Sequence, residues 1–176
     1  MFYKMLYNRN DGDFIKLKNF PEQINKRAVI NSEFQYLDKN PIQIEVSEEG
    51  GIDFPDFIDE YNMPLFSENL KTTLDNEKIE NIFYKPIILN DNLMETKKKY
   101  WLAVSDKIDC LNLKESKADP ELSFPVFTKI TIYPHKIGNY KIFKIKQLNP
   151  DFFILTQSLM SILKDKKLKG ISFEKI

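Results

Sequence analysis

The chain has 176 residues, with 26 basic side chains, 26 acidic ones and a formal net charge of zero. That length fits one domain with a sizeable core, and charge neutrality argues against general nucleic-acid affinity. The single cysteine, Cys110, excludes an internal disulfide and a cysteine-based metal cluster.

The N-terminus, Met-Phe-Tyr-Lys-Met-Leu-Tyr-Asn-Arg, has no long apolar run. No secretory signal or spanning segment is expected, and the lone thiol suits the cytoplasm. Phe2 to Tyr7 reads as a first strand, and Asn8 to Asp13 as a turn centred on Asp11-Gly12. Pro21-Glu22-Gln23 opens a short helical turn before Ala28-Val29-Ile30. Ile42, Ile44 and Val46 share one face of a second strand.

Ser47 to Gly51 ends that strand, and an acidic, aromatic stretch follows from Ile52 to Tyr61. Asp53, Asp56 and Glu60 fall at i, i+3 and i+7, and Phe54, Phe57 and Ile58 at i, i+3 and i+4. That spacing predicts a helix with Pro55 near its start.

The chain then repeats itself. Phe66 to Ile87 and Leu155 to Ile176 align without a gap, 89 positions apart. Ser67 matches Thr156, Leu70 matches Leu159, Leu74 matches Leu163, Ile82 matches Ile171 and Tyr84 matches Phe173. Each copy predicts a hydroxyl N-cap, an amphipathic helix and a strand. Asn81 and Gly170, which share a position, are expected to supply the left-handed turn.

Between the copies, Ile82 to Leu89 reads as a strand that Pro86 pushes to an edge or an end, and 91–99 as a polar loop. Tyr100 to Val104 is a compact strand that places Trp101 in the core, and Lys107 to Leu113 alternates. Phe124 to Tyr133 and Lys141 to Lys146 read as two strands paired through Pro134 to Asn139. The sum is α+β: a strand-rich mixed or antiparallel sheet, two principal helices and two similar helix–turn–strand units. These lie in a single domain over 1–176, whose first 50 residues are the least defined.

Reactive constellations are sparse. His135 has no local acid or nucleophile to work with. The five glycines fit no phosphate-binding spacing. Asp53, Asp56, Asp59 and Glu60 have the oxygens for a hard cation but not the spacing of a calcium loop, so a solvated acidic turn is the better reading. No catalytic, cofactor or metal site is therefore expected. Charge, however, is unevenly spread. From Ile42 to Glu80 there are 11 acidic residues and 2 lysines, a net of −9. From Lys129 to Ile176 there are 10 lysines and 3 acidic residues, a net of +7. The two segments either neutralise each other or present an acidic patch to a basic partner.

Met63-Pro-Leu-Phe-Ser-Glu-Asn-Leu70, Tyr100-Trp-Leu-Ala-Val104 with Ile108-Asp-Cys-Leu-Asn-Leu113, Phe153-Ile-Leu-Thr-Gln-Ser-Leu159 and Leu168-Lys-Gly-Ile-Ser-Phe173 stand in an order that resembles a family of bacterial polymorphic-toxin immunity proteins, formerly a domain of unknown function. The resemblance runs from about Phe54 to Ile176. It implies a non-catalytic protein that neutralises a cognate toxin in the cytoplasm by stoichiometric binding. On that reading Asp53, Phe54, Asp56, Phe57, Asp59, Glu60 and Tyr61 are the candidate partner surface, as acidic groups interleaved with aromatic anchors. The competing classes are a nucleic-acid-binding module using the basic C-terminal third, and a small enzyme whose site assembles only in the fold.

Overall fold

The computed structural model describes residues 1–37, 40–119, 126–148 and 151–176. In chain order the main elements are β1 (Phe2–Tyr7), α1 (Lys26–Asn31), β2 (Ile42–Glu45), β3 (Phe57–Glu60), β4 (Met63–Ser67), α2 (Glu68–Asn76), β5 (Ile82–Asp91) and β6 (Thr96–Ser105). They continue with β7 (Lys107–Ile108), β8 (Lys117–Ala118), β9 (Phe127–Lys129), β10 (Ile142–Ile145), β11 (Phe153–Thr156), α3 (Gln157–Asp165) and β12 (Ile171–Lys175). They form two five-stranded mixed sheets, ordered β2-β5-β6-β4-β3 and β12-β1-β11-β10-β7, and a small β8-β9 ribbon. The class is α+β.

Each sheet carries one copy of the same unit. The helices start at 68 and 157 and end at 76 and 165, so 157 − 68 and 165 − 76 both give an offset of 89. Ser67 Oγ accepts from Leu70 N at 3.1 Å, and Thr156 Oγ1 accepts from Leu159 N at 3.5 Å. Each hydroxyl thereby satisfies a first-turn donor that the helix cannot. In the first unit β6 lies between β4 and β5, antiparallel to both, with Trp101 opposite Phe66 and Pro86. In the second unit β1 lies between β11 and β12, with Tyr3 opposite Leu155 and Lys175. Adding 89 to 66 and 86 gives 155 and 175, so the registers coincide. The central strand of the C-terminal unit therefore comes from the first residues of the sequence.

The two units pack on one another through their helical faces. Phe66, Leu70, Leu74 and Ala103 of the first join Met5, Leu155, Leu159 and Leu163 of the second in one buried cluster. Leucines at i, i+4 and i+8 of each strand–helix junction point into this core. Cutting one of them back to Ala costs about 2–5 kcal/mol. A second cluster lies over the other face of the first sheet, where Ile15, Leu17, Ile24 and Val29 cover Ile44, Leu65, Leu89 and Leu102. A third joins Cys110, Leu111, Ile132 and Ile137 to Phe143 and Ile145.

Several expectations need correction. Residues 52–61 are not helical: Phe57–Glu60 is a strand, hairpinned to β4 through Tyr61 and Asn62, which both have left-handed φ (57° and 58°). That is the backbone of a tight two-residue hairpin turn. Residues 91–99 are not a loop, because β5 and β6 continue to Asp91 and from Thr96. Pro86 lies within β5, one residue before pairing with β2 begins at Ile87, so its missing N–H interrupts no bond to that neighbour. β10 pairs with β11 and β7 rather than with residues before Tyr133, and β9 pairs with β8. Phe124 and Pro125 of the expected 124–133 strand lie outside the described residues. Trp101 is only part-buried; its Nε1 donates to Glu68 at 2.8 Å and Lys99 sits 4.0 Å from its ring centroid. Finally, the shared left-handed position is Lys78 and Lys167 (φ 56° and 51°), one residue beyond each helix cap. Gly170 is also left-handed (φ 73°), whereas Asn81 is not among the positive-φ residues.

Candidate functional site

The acidic, aromatic stretch runs along the junction of the two units, and the fold divides its members. Asp56 is committed to structure. Its Oδ1 accepts the Ser67 hydroxyl at 2.6 Å, its Oδ2 accepts from Lys169 N at 2.8 Å, and its own N–H donates to Lys169 O at 2.9 Å. One carboxylate thus orients the N-cap of α2 and fixes the turn between α3 and β12. Phe57 is 1% exposed and packs against Phe66 and Tyr7. Glu60 is 4% exposed, accepts from Leu17 N at 2.8 Å and pairs with Arg9 at 2.8 Å. A buried carboxylate survives because both of its oxygens are occupied by donors.

Asp59 is part-buried, near Lys144 and Asp151. Burial pushes its carboxyl up to about 6. Lys144 pulls the other way and Asp151 adds to the rise. Lys144 is itself buried and pairs with Asp151 at 3.1 Å, so Asp59 faces a cation already shared with another carboxylate. Asp59 lines neither the cleft of about 410 Å³ bounded by Lys78, Asn81, Asp106 and Tyr140 nor the one of about 480 Å³ between α3 and β12.

Three members keep surface. Asp53 is half exposed, with Lys169 Nζ at 3.9 Å. Phe54 is part-buried beneath Lys98, whose Nζ is 5.9 Å from the ring centroid. Tyr61 stands exposed at the hairpin tip. The four carboxylates do not converge: among the described residues no group of three His, Cys, Asp or Glu side chains could hold a metal ion. His135 sits exposed in a short 3₁₀ turn, Pro134–Lys136, against Tyr133. The thiol of Cys110 is buried and raised to about 11, chiefly by desolvation. A thiol held neutral is a poor nucleophile.

Sequence reasoning missed the contribution of Lys169, the hinge on which Asp53 and Asp56 both depend. Only contact between residues 113 positions apart in the chain reveals it. It also missed the cleft between α3 and β12, lined by Met160, Leu163, Lys164, Lys167, Ile171 and Phe173. The lysines there were legible as charges suited to a helix C-terminus, but a cleft is a property of packing.

Residues 7–176 match the immunity protein family Imm11. The chain belongs to that immunity protein family. The match begins at residue 7, so Imm11 membership extends over most of the N-terminal part as well as the region from Phe54 onward. Comparison with curated proteins gave no match. Among the described residues, no helix of this Imm11 protein is long and apolar enough to cross a membrane.

Proposed function

We propose that this Imm11 protein neutralises a cognate bacterial toxin by direct, stoichiometric binding in the cytoplasm of the producing cell, with no chemistry of its own. The observation that carries the reading is the match to an immunity family over residues 7–176. The surroundings of its polar groups support it. The acidic side chains Asp56 and Glu60 serve the fold, and His135 is exposed, with Tyr133 as its ring contact and no acid–base partner among the described residues. What the molecule offers a partner is surface. On this reading Asp53, Phe54 and Tyr61, the members of the candidate stretch that keep surface, contribute to the contact with the toxin. Phe57, Asp56 and Glu60 act behind that surface by holding it in shape.

The test is co-expression with the product of the adjacent upstream gene, followed by affinity capture of this protein. Recovery of a toxin-like partner in equimolar amount supports the reading. Capture of nucleic acid in place of a protein, with binding that falls steeply as salt rises, would support the nucleic-acid class instead.

A further inference from the structure

β12 is an open edge. In its sheet it pairs only with β1. Asn8 N donates to Gly170 O at 3.0 Å and Ile176 N donates to Phe2 O at 3.2 Å, so the even-numbered residues of this segment turn their main chain toward β1. By the alternation of an antiparallel pair, Ile171, Phe173 and Lys175 turn theirs away from the sheet. No strand among the described residues meets those groups. The other edges differ. β2 is backed by Lys18 N, which donates to Glu45 O at 3.0 Å; β3 is four residues long and largely buried; β7 is two residues long.

The edge lies beside a cleft of about 480 Å³ with an apolar floor of Met160, Leu163, Leu168, Ile171 and Phe173 and a basic rim that includes Lys164 and Lys167. Between 164 and 175 there are five lysines against Asp165 and Glu174. Glu174 is taken by Lys4 at 2.7 Å, and Lys169 reaches Asp53 at 3.9 Å. Lys164, Lys166, Lys167 and Lys175 have no ion pair among the described residues. In the other half of the molecule the equivalent strand, β5, takes β2 as a parallel outer neighbour only from Ile87, the counterpart of Ile176; Ile82 to Pro86, the counterparts of Ile171 to Lys175, have no strand on that side among the described residues.

We propose that β12 is a docking edge for an extended, acidic strand of the partner toxin, which adds to the β12-β1-β11-β10-β7 sheet and sets its inward side chains in the cleft against α3. This rests on the reading of the protein as a toxin-binding immunity protein and names the element that does the binding. Main-chain bonds to Ile171, Phe173 and Lys175 supply pairing, the apolar floor selects alternate side chains, and the free lysines select for carboxylates. A second copy of this chain is the poorer occupant: two β12 edges side by side would gather the unpaired Lys164, Lys166, Lys167 and Lys175 of both copies near one seam, and like charges on an edge oppose self-pairing. The edge adjoins the surface around Asp53, since Lys169 begins the turn into β12.

The experiment is amide exchange by NMR on the full chain, alone and saturated with the product of the adjacent upstream gene. It is paired with the binding kinetics of Lys175→Pro and Lys164→Glu. Lys175→Pro removes an outward N–H and leaves the bonds through Ser172, Glu174 and Ile176 to β1 in place. The expected result is exchange at Ile171, Phe173 and Lys175 slowed about tenfold or more in the complex. Dissociation should be faster in Lys175→Pro and association about tenfold slower in Lys164→Glu, with the melting temperature unchanged in free Lys175→Pro and lowered by at most a few degrees in free Lys164→Glu, whose new carboxylate sits at a helix C-terminus. Tight binding with those three amides still exchanging freely would overturn the docking edge while leaving toxin binding intact. No binding at all would overturn both. Protection that grows with protein concentration in the absence of the toxin, or that nucleic acid produces instead, would overturn the choice of an acidic toxin strand.

Discussion

Asp56 and Lys169 are bonded to each other twice, Asp56 N to Lys169 O at 2.9 Å and Lys169 N to Asp56 Oδ2 at 2.8 Å. With the Ser67 hydroxyl on its other oxygen, Asp56 links the cap of one unit to the turn of the other. The rest of the acidic stretch is arranged around that clasp.

Asp56→Ala leaves the Lys169 amide without its acceptor and frees the Ser67 cap. The expected loss is about 2–3 kcal/mol of stability. Asp56→Asn, which keeps one acceptor, should lose about half as much. Urea unfolding of the two variants checks both values, and equal losses would mean that the one acceptor Asn keeps contributes little.

Glu60→Ala strands the Leu17 amide in the core and leaves Arg9 without its partner. A loss of about 3 kcal/mol or more is expected. Glu60→Gln retains an acceptor for Leu17 N and should lose less. Thermal melts at fixed pH rank the pair.

Asp59 carries a pH dependence of definite sign. Its carboxyl titrates near 6 in the fold, above its ordinary 3.8, so the folded state favours the proton. Its effect on stability is therefore most favourable below about pH 4, worsens between about pH 4 and 6, and levels off above that. Asp59→Asn removes the penalty and should stabilise the protein at pH 7 by about 1–2 kcal/mol, with no gain at pH 4. Denaturant midpoints at the two pH values give the answer; a gain equal at both would place the cause outside this titration.

The left-handed residues make opposite predictions. Lys167 bears a side chain at φ 51°, so Lys167→Gly should stabilise by about 0.5–1 kcal/mol, and Lys78→Gly likewise. Gly170 has φ 73°, and a Cβ there would lie 2.7 Å from Pro55 Cβ and 3.2 Å from Phe57 O. Gly170→Ala should cost about 2–3 kcal/mol. Melting temperatures of the three variants compare them directly.

What could be read in the sequence followed local rules. Ser67 and Thr156 cap helices because a hydroxyl before an apolar i, i+4, i+8 row has one natural place. The gapless match located both helix starts, whereas the helices end at Asn76 and Asp165, ahead of the expected stop at Asn81 and Gly170. The stretch from Ile52 to Tyr61 misled because Phe57, Ile58 and Glu60 are all buried. A strand buried on both faces shows no alternation, and the acidic residues fell by chance at helical spacing. Its hairpin turn uses Tyr61 and Asn62, with no glycine to mark it. The partner strand of the C-terminal unit was illegible for a deeper reason: β1 and β12 lie at opposite ends of the chain, and only tertiary structure brings Met5 beside Phe173. The candidate surface suffered likewise, since burial, which divides Asp53 and Tyr61 from Phe57 and Glu60, is set by packing.

The most direct test of the account is to titrate the purified toxin from the adjacent upstream gene with this protein and follow residual toxin activity. Stoichiometric neutralisation predicts a linear fall that reaches zero at equal molar amounts. Complete inactivation far below equimolar ratio, or undiminished activity in excess of this protein, would contradict it.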